Sequence, residues 1–185
     1  QIAGPWLGDT WHYDGTSWAE VLGIPMPPER THAMMAWNAL RRNLVLFGGS
    51  RGANLGDTWV YECDVALPEA CIAWHAVTNS GDPSLRPAVA TLPDGRAIVV
   101  WKEDMPGNAQ DDIYYSIRTN GIWSPMSAVA ATSHDSGEPD LAVGPDGTVH
   151  CVWRDSSPTG VGDIWYAAYA GGAWSASVNI SNTGD

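Results

Sequence analysis

Internal repetition is the feature that most constrains how this chain can fold. Residues 7–13 (LGDTWHY) return as residues 55–61 (LGDTWVY), 48 positions later. A different repeat occupies the second half, where residues 86–101 align with residues 138–153 at a shift of 52. Shorter matches within that half are shifted by 51, so the period drifts by one residue. Such a pattern predicts an array of structural units joined by loops of adjustable length.

Each unit of the second half divides into four short strands. Residues 88–92 and 97–101 flank a Pro-Asp-Gly turn, and residues 113–118 alternate as a third strand. An Asn-Gly hairpin turn then leads into a fourth strand from residue 122. No segment has sustained helical periodicity with a cap at each end. Four antiparallel strands every 40–50 residues or so predict an all-β fold made of β-propeller blades.

Two known repeat types resemble these patterns. Residues 7–78, approximately, resemble Kelch repeats, with Gly48-Gly49 ending a strand, then Asp57-Thr58-Trp59, Tyr61 and Trp74. Residues 85–181, approximately, resemble sialidase-like or BNR-type propeller repeats, with Pro-Asp-Gly, an apolar strand ending in Trp, and a later Trp-Ser. The strict Asp-box motif of the second type does not occur. The resemblance implies one partial β-propeller domain over residues 1–185.

The blades are expected at residues 1–22 (half a blade), 28–78, 85–131 and 137–181. This gives about fourteen strands, or about three and a half blades, whereas propellers need roughly four to eight blades to close. We expect a fragment of a six- to eight-bladed ring, with further blades of the same protein closing it. Completion by another chain is the alternative.

Charge and composition narrow the classes of partner. The chain has 9 basic and 21 acidic residues, for a net charge of −12. It offers too few cations to replace the counterions of a nucleic acid, and the same deficit disfavours an anionic membrane surface. No stretch is long and apolar enough for a membrane-spanning helix. The acidity is interpreted as solubility in a secreted or cell-surface setting, with cation binding as the alternative.

Three cysteines are present. Cys63 and Cys71 flank a turn-rich loop, which predicts a disulfide that staples a hairpin. Cys151 lies in an apolar strand and is expected to be a buried free thiol. Three reduced thiols are the alternative.

The binding candidates are one tryptophan and a set of loop carboxylates. Most of the 11 tryptophans recur once per blade and are expected to pack between blades. Trp37 falls outside the repeat and is the better candidate for a surface role. Loops after the second strands gather at one end of a propeller, and they carry Asp104, Asp111, Asp112, Asp155 and Asp163. These could hold Ca²⁺, although the strict calcium-loop spacing is absent; bonding of turn amides is the alternative.

Catalytic motifs were not found. None of the eight arginines lies in the Arg-Ile-Pro motif of sialidases, and the five histidines are scattered. No serine or cysteine nucleophile motif occurs. The sequence therefore predicts a secreted or cell-surface bacterial module that binds glycan or protein through loops on one face. A fragment of a glycan-active enzyme and a structural element of an extracellular assembly are the alternatives.

Overall fold

The structure is a computed structural model that describes residues 8–13, 15–53, 55–63, 71–79, 85–103, 110–130, 132, 134–156 and 162–182. The side chains of residues 63, 71–79, 85 and 86 lie outside this description. The described residues form sixteen β-strands and no α-helix. No helix of a length and hydropathy suited to crossing a bilayer is found among them.

The strands follow one another along the chain with short connections. They are β1 (Trp11–Tyr13), β2 (Trp18–Glu20), β3 (Met34–Asn38), β4 (Asn43–Phe47), β5 (Asp57–Cys63), β6 (Cys71–Asn79), β7 (Leu85–Thr91), β8 (Ala97–Glu103), β9 (Asp112–Thr119), β10 (Ile122–Trp123), β11 (Ser127–Ala130), β12 (Ser136–Val143), β13 (Val149–Ser156), β14 (Gly162–Ala170), β15 (Ala173–Trp174) and β16 (Val178–Asn179).

These strands form four antiparallel sheets. Sheet I contains β1 and β2, and sheet II has the order β3-β4-β5-β6. Sheet III has the order β7-β8-β9-β10, with β11 also paired to β9. Sheet IV repeats this arrangement as β12-β13-β14-β15, with β16 also paired to β14. The predicted antiparallel sheets of about four strands are confirmed.

Local chemistry explains where the strands turn. Gly95 and Gly147 of the two Pro-Asp-Gly turns have φ values of 81° and 83°, which favour glycine. Asn120 and Gly121 both have positive φ between β9 and β10, as a two-residue hairpin of the type I′ class requires. The continuous apolar run of β8 is buried on both faces, because sheet III lies between two other sheets.

The fourth strand of sheets III and IV is interrupted, which the sequence did not predict. Ser124 follows β10, and its Oγ accepts a hydrogen bond from the Ile117 amide at 3.1 Å. Ser175 does the same for the Ala168 amide at 3.0 Å in sheet IV. Each serine hydroxyl replaces a backbone acceptor, and the chain resumes pairing only at β11 or β16. The described residues therefore form sixteen strands, where about fourteen were expected for the chain.

The sheets stack face to face in chain order. Val45 and Val60 of sheet II pack with Ala97 of sheet III. Val100 of sheet III packs with Trp153 of sheet IV. The first strands β3, β7 and β12 contact one another in succession, so they form the inner side of the stack. Sheets that pack in chain order with their first strands adjacent are the arrangement expected of successive propeller blades.

The backbone register bears on the predicted disulfide. Cys63 of β5 lies directly opposite Cys71 of β6. Residues opposite each other in antiparallel strands have Cα atoms about 4.5–5.5 Å apart, which a disulfide can span. The two side chains lie outside the described residues, so the disulfide stays a prediction. Cys151 is fully buried and free, and burial raises the pKa of its thiol to about 12.

Candidate ligand-binding cleft between sheets III and IV

A polar cleft of about 430 Å³ opens where the second strand of sheet III and the first two strands of sheet IV meet. It is the end at which the loops after the second strands emerge. Two cations, two carboxylates and two hydroxyls face it, together with one glycine. The lining residues are Lys102, Asp135, Ser136, Gly137, Glu138, Arg154 and Ser156.

The two cations occupy equivalent positions in successive sheets. Lys102 follows Trp101 in β8, and Arg154 follows Trp153 in β13. Lys102 forms an ion pair with Asp111, and its aliphatic stem passes 3.7 Å from where a Cβ on Gly137 would lie. The Arg154 guanidinium covers Gly162, since Cζ is 2.8 Å from the corresponding position there. Small residues therefore make room for both long side chains.

The segment before β12 joins the two sheets. The Asp111 amide donates to Asp135 Oδ1 at 3.2 Å, and the Ser136 amide donates to the Asp111 carbonyl at 2.8 Å. On the other side, the Ser156 amide donates to the Asp135 carbonyl at 2.9 Å. Asp135 is thereby held by sheet III through its side chain and by sheet IV through its backbone.

Glu138 reaches the cleft through a backbone irregularity. The pairing of β12 with β13 shifts between Gly137 and Asp140, and Glu138 has a φ of 55°. A non-glycine residue in this left-handed region is uncommon and marks a local constraint. A bulge of this kind re-aims side chains at the edge of a sheet.

Asp155 stands between the lining residues Arg154 and Ser156 in β13 and is 4% exposed. Burial raises the pKa of its carboxyl, and the carboxylates of Asp112 and Asp135 raise it further, while His134 and Thr132 act in the opposite direction. His134 Nδ1 is 4.0 Å from Asp155 Oδ1. The free energy of ionising Asp155 is therefore set by neighbours from both sheets.

Asp112 and Asp163 occupy equivalent positions in β9 and β14, where each one anchors the segment that follows the fourth strand. The Thr132 amide and hydroxyl both lie 3.3 Å from Asp112 Oδ1. In sheet IV, Asn179 Nδ2 and the Ser181 hydroxyl donate to Asp163 at 2.7 and 2.9 Å. These contacts are of the amide- and hydroxyl-bonding kind that the sequence offered as the alternative to calcium.

The structure brings together only some of the predicted binding residues. Asp111 forms an ion pair with the lining residue Lys102, and Asp112 and Asp155 are buried and do not line the cleft. Asp104 lies outside the described residues. Trp37 is 48% exposed, but it lies on sheet II and does not line the cleft.

The acidic side chains described in this region each have a partner within the protein. Within the residues that the structure describes, no three His, Cys, Asp or Glu side chains are grouped so that they could hold a metal ion. The carboxylates are instead occupied by ion pairing, as in Asp111, or by hydrogen bonding, as in Asp163.

None of the seven lining residues was named as a candidate from the sequence. Lys102, Arg154 and Ser156 adjoin the loops that carry the predicted carboxylates, whereas Asp135, Ser136 and Glu138 lie apart from those loops. Asp135, Ser136 and Glu138 lie at the start of sheet IV. They meet Lys102 of sheet III only because the two sheets stack. The Glu-Pro pair at residues 138–139, aligned with Arg-Pro at residues 86–87, was the available signal for a position at the sheet edge.

The cleft suits a ligand with many hydroxyl groups. Lys102 and Arg154 donate hydrogen bonds, Asp135 and Glu138 accept them, and Ser156 can do both. A few convergent polar groups on a rigid scaffold are the usual source of orientation and specificity in a ligand site.

Comparison with known proteins supports the fold. No protein-family model and no curated protein matches the chain. Among solved structures, the chain is similar to AofleA from Arthrobotrys oligospora, with a TM-score of 0.55 at 14% identity, over 94% of this chain and 50% of that one. It is also similar to the six-bladed β-propeller lectin of Aleuria aurantia, with a TM-score of 0.51 at 13% identity, over 95% and 54% of the two chains. The chain thus spans about half the length of these propellers, and the likeness shows the fold.

Proposed function

We propose that this chain is part of a carbohydrate-binding β-propeller, and that the cleft between sheets III and IV contacts the sugar. The observation that carries the proposal is the convergence of Lys102, Arg154, Asp135 and Glu138 on one cleft between adjacent sheets. Sugar hydroxyls both donate and accept hydrogen bonds, so mixed cations and carboxylates satisfy them better than a cleft of one charge sign. The module binds its ligand without catalysing a reaction on it.

Fucose is the first ligand to test. The Aleuria aurantia protein, whose fold this chain shares, is described as a lectin with a novel mode of fucose recognition. Protein recognition through the same loops is the second ligand class that the sequence predicts.

The blade assignment, the closure of the ring and the location of the protein form part of the same proposal. Sheets I to IV are assigned to blades at residues 1–22, 28–78, 85–131 and 137–181, the first two of Kelch type and the others of sialidase-like type. Further blades close the ring. The net charge of −12 and the opposition of Cys63 and Cys71 support a secreted or cell-surface location.

Calorimetric titration of the purified chain with methyl fucoside tests the proposal, with galactoside, mannoside and glucoside in parallel. We expect saturable binding of at least one sugar. Arg154→Ala should weaken that binding by about tenfold to a hundredfold, because a charge-assisted hydrogen bond contributes about 1.5–3 kcal/mol.

Arg96→Ala is the matched control. Arg96 is paired with Asp94 in a turn and does not line the cleft, so its removal should leave sugar affinity unchanged. Absence of binding to all four sugars and to a glycan array would refute the proposal. Equal losses in both variants would place the ligand elsewhere, and release of free sugar from a reporter glycoside would favour the glycan-active enzyme.

A further inference from the structure

Two arginines, which we call the arginine pair, lie between sheets II and III at the end of the stack opposite the cleft. Arg41 is in the turn between β3 and β4, and Arg118 is near the end of β9. Arg118 lies opposite Ala97 at the start of β8, whereas the cleft residue Lys102 is five residues further along that strand. At about 3.4 Å per residue, these two positions are about 17 Å apart. The arginine pair is therefore separate from the cleft.

The hairpin turn between β9 and β10 holds the two guanidinium groups close together. Asn120 Oδ1 accepts a hydrogen bond from Arg41 Nη2 at 2.9 Å, and the Gly95 carbonyl accepts one from Arg41 Nε at 3.0 Å. Arg118 Nη2 is 3.8 Å from where a Cβ on Gly121 would lie. The glycine therefore leaves space beside that nitrogen. Arg41 is fixed by two acceptors, and its Nη1 is bonded to no residue that the structure describes.

Arg118 has no hydrogen-bond acceptor among the described residues, and its Nε is buried without a partner. Glu62 of sheet II lies near enough for its charge to favour the protonated guanidinium, but the two side chains form no ion pair. Burial lowers the pKa of Arg118, the Glu62 charge opposes this effect, and the Arg41 charge adds to it. Arginine nevertheless stays protonated in proteins. A partly buried cation beside a second cation is unfavourable unless an anion accompanies them.

The internal repeat shows that the fold does not need an arginine at this position. Arg118 lies opposite Trp123 in sheet III. Tyr169 lies opposite Trp174 in sheet IV and is therefore the equivalent residue. Tyr169 is 7% exposed and packs against Ile117 of sheet III. An aromatic side chain fills the position between sheets III and IV, so the unpaired arginine between sheets II and III calls for an explanation other than packing.

The distribution of charge favours an isolated anionic group as the ligand. Four of the eight arginines lie at this end of sheets II and III, namely Arg41, Arg42, Arg96 and Arg118. Of these, Arg96 is paired with Asp94 in its own turn. The net charge of −12 repels an extended polyanion, whereas a single group meets the local cations alone. The planar guanidinium matches the paired oxygens of such a group.

We propose that the arginine pair binds one oxyanion group, such as a sulfate, between sheets II and III. Its oxygens accept hydrogen bonds from Arg118 and from Arg41 Nη1, and its charge supplies the counter-ion that Arg118 lacks. The group belongs either to a free inorganic anion or to a substituent on a sugar, because the recognition chemistry is the same for both. This proposal does not depend on sugar binding in the cleft.

Titration of the full chain with sodium sulfate at constant ionic strength, followed by NMR, tests the proposal. We expect saturable 1:1 shifts of the Arg118 Nε–H and Gly121 amide resonances, whereas sodium chloride should produce none. Galactose 6-sulfate and galactose distinguish the two sources. Tighter binding of galactose 6-sulfate than of inorganic sulfate would assign the group to a sugar, and equal binding would assign it to the free anion. Galactose itself should leave both resonances unchanged.

Variants of Arg118 test the arginine pair directly. Arg118→Tyr copies the residue of sheet IV, so the variant should fold, and sulfate binding should weaken about tenfold or more. Arg118→Lys keeps the charge without the planar fork, so its sulfate affinity should lie between those of the parent and Arg118→Tyr. Arg96→Gln is the matched control, since it removes a charge that is already paired at the same end; it should bind like the parent.

Three results would overturn the proposal. The first is the absence of a saturable shift at Arg118 and Gly121 with sulfate. The second is an equal response of these resonances to chloride or to galactose, which would mean that an oxyanion is not what the site recognises. The third is unchanged sulfate affinity in both Arg118→Tyr and Arg118→Lys.

Discussion

One tryptophan in each of sheets II and III donates its indole N–H to a carboxylate two residues away. In sheet II, Trp59 donates to Asp57 at 2.6 Å. In sheet III, Trp101 donates to Glu103. Asp57 also accepts both arms of Arg30, at 2.6 and 2.8 Å. Burial raises the pKa of Asp57, but these hydrogen bonds and the Arg30 charge outweigh it, so the net pKa is lowered.

Sheet IV lacks this contact. Trp153 Nε1 and Asp155 Oδ1 are both buried without a hydrogen-bond partner in the part of the chain that the structure describes. Asp155 stands where sheet III has Glu103, and its side chain is one methylene shorter. An indole donor and a carboxylate acceptor thus lie two residues apart and do not meet.

Asp155→Glu is predicted to stabilise the protein. The added methylene allows the carboxylate to reach Trp153 Nε1, which satisfies two buried polar atoms. We expect the free energy of unfolding to rise by about 1 kcal/mol at neutral pH, measured by chemical denaturation. In a Trp153→Phe background the same change should bring no gain, because the donor is gone; a gain of equal size there would contradict the explanation.

The repeat motifs predicted the positions of these residues but not their partners. Asp163 was a candidate ligand because it ends a polar loop, yet it bonds Asn179 and Ser181 of a later segment. A contact between residues 16–18 positions apart depends on how the fourth strand returns to the third. That pairing is a tertiary contact, and no local sequence pattern indicates it.

At the scale of elements, turn chemistry made the hairpins predictable. Asn120-Gly121 and the Pro-Asp-Gly turns all lie where the sequence predicts them, because positive φ restricts the residue types that can occupy such turns. The interruption of the fourth strands was missed. Both halves of each strand pair with the same neighbour, and a short apolar run does not reveal whether pairing is continuous.

The Gly48-Gly49 corner gives a test at this scale. Gly49 has a φ of 103°, and a Cβ there would lie 2.8 Å from the Thr31 carbonyl oxygen. Gly49→Ala should therefore destabilise sheet II by about 3 kcal/mol, through backbone strain and steric overlap together. Gly52 has a φ of 70° with open space around it, so Gly52→Ala should lose only about 1 kcal/mol. Equal losses in denaturant titrations would show that overlap with Thr31 is unimportant.

At the scale of the whole molecule, burial depends on whether a sheet has a neighbour. Ile113 of sheet III and Ile164 of sheet IV are equivalent in the repeat. Ile113 is 1% exposed because sheet IV covers it, and Ile164 is 40% exposed. The order of the sheets along the chain was predictable from the repeat. The cleft was not, because its walls come from two sheets and depend on the distance between them.

This pair gives a prediction about the stack. Ile113→Ala should lower the free energy of unfolding by about 3 kcal/mol, since it leaves a cavity between sheets III and IV. Ile164→Ala should lower it by about 1 kcal/mol or less, because the side chain is already partly in water. Denaturation curves of the two variants provide the measurement. A similar loss in both would mean that the outer face of sheet IV is covered in solution.

The interrupted fourth strands also bear on how the molecule behaves in a crowded solution. An intact outer strand would offer neighbouring molecules a continuous row of unpaired amides and carbonyls, a template for edge-to-edge stacking. The rim of sheets III and IV instead consists of pieces of two to four residues, shorter than the six or seven residues that amyloid-forming segments use. We therefore expect Ser124 and Ser175, which break the rim, to disfavour edge-to-edge association of the protein.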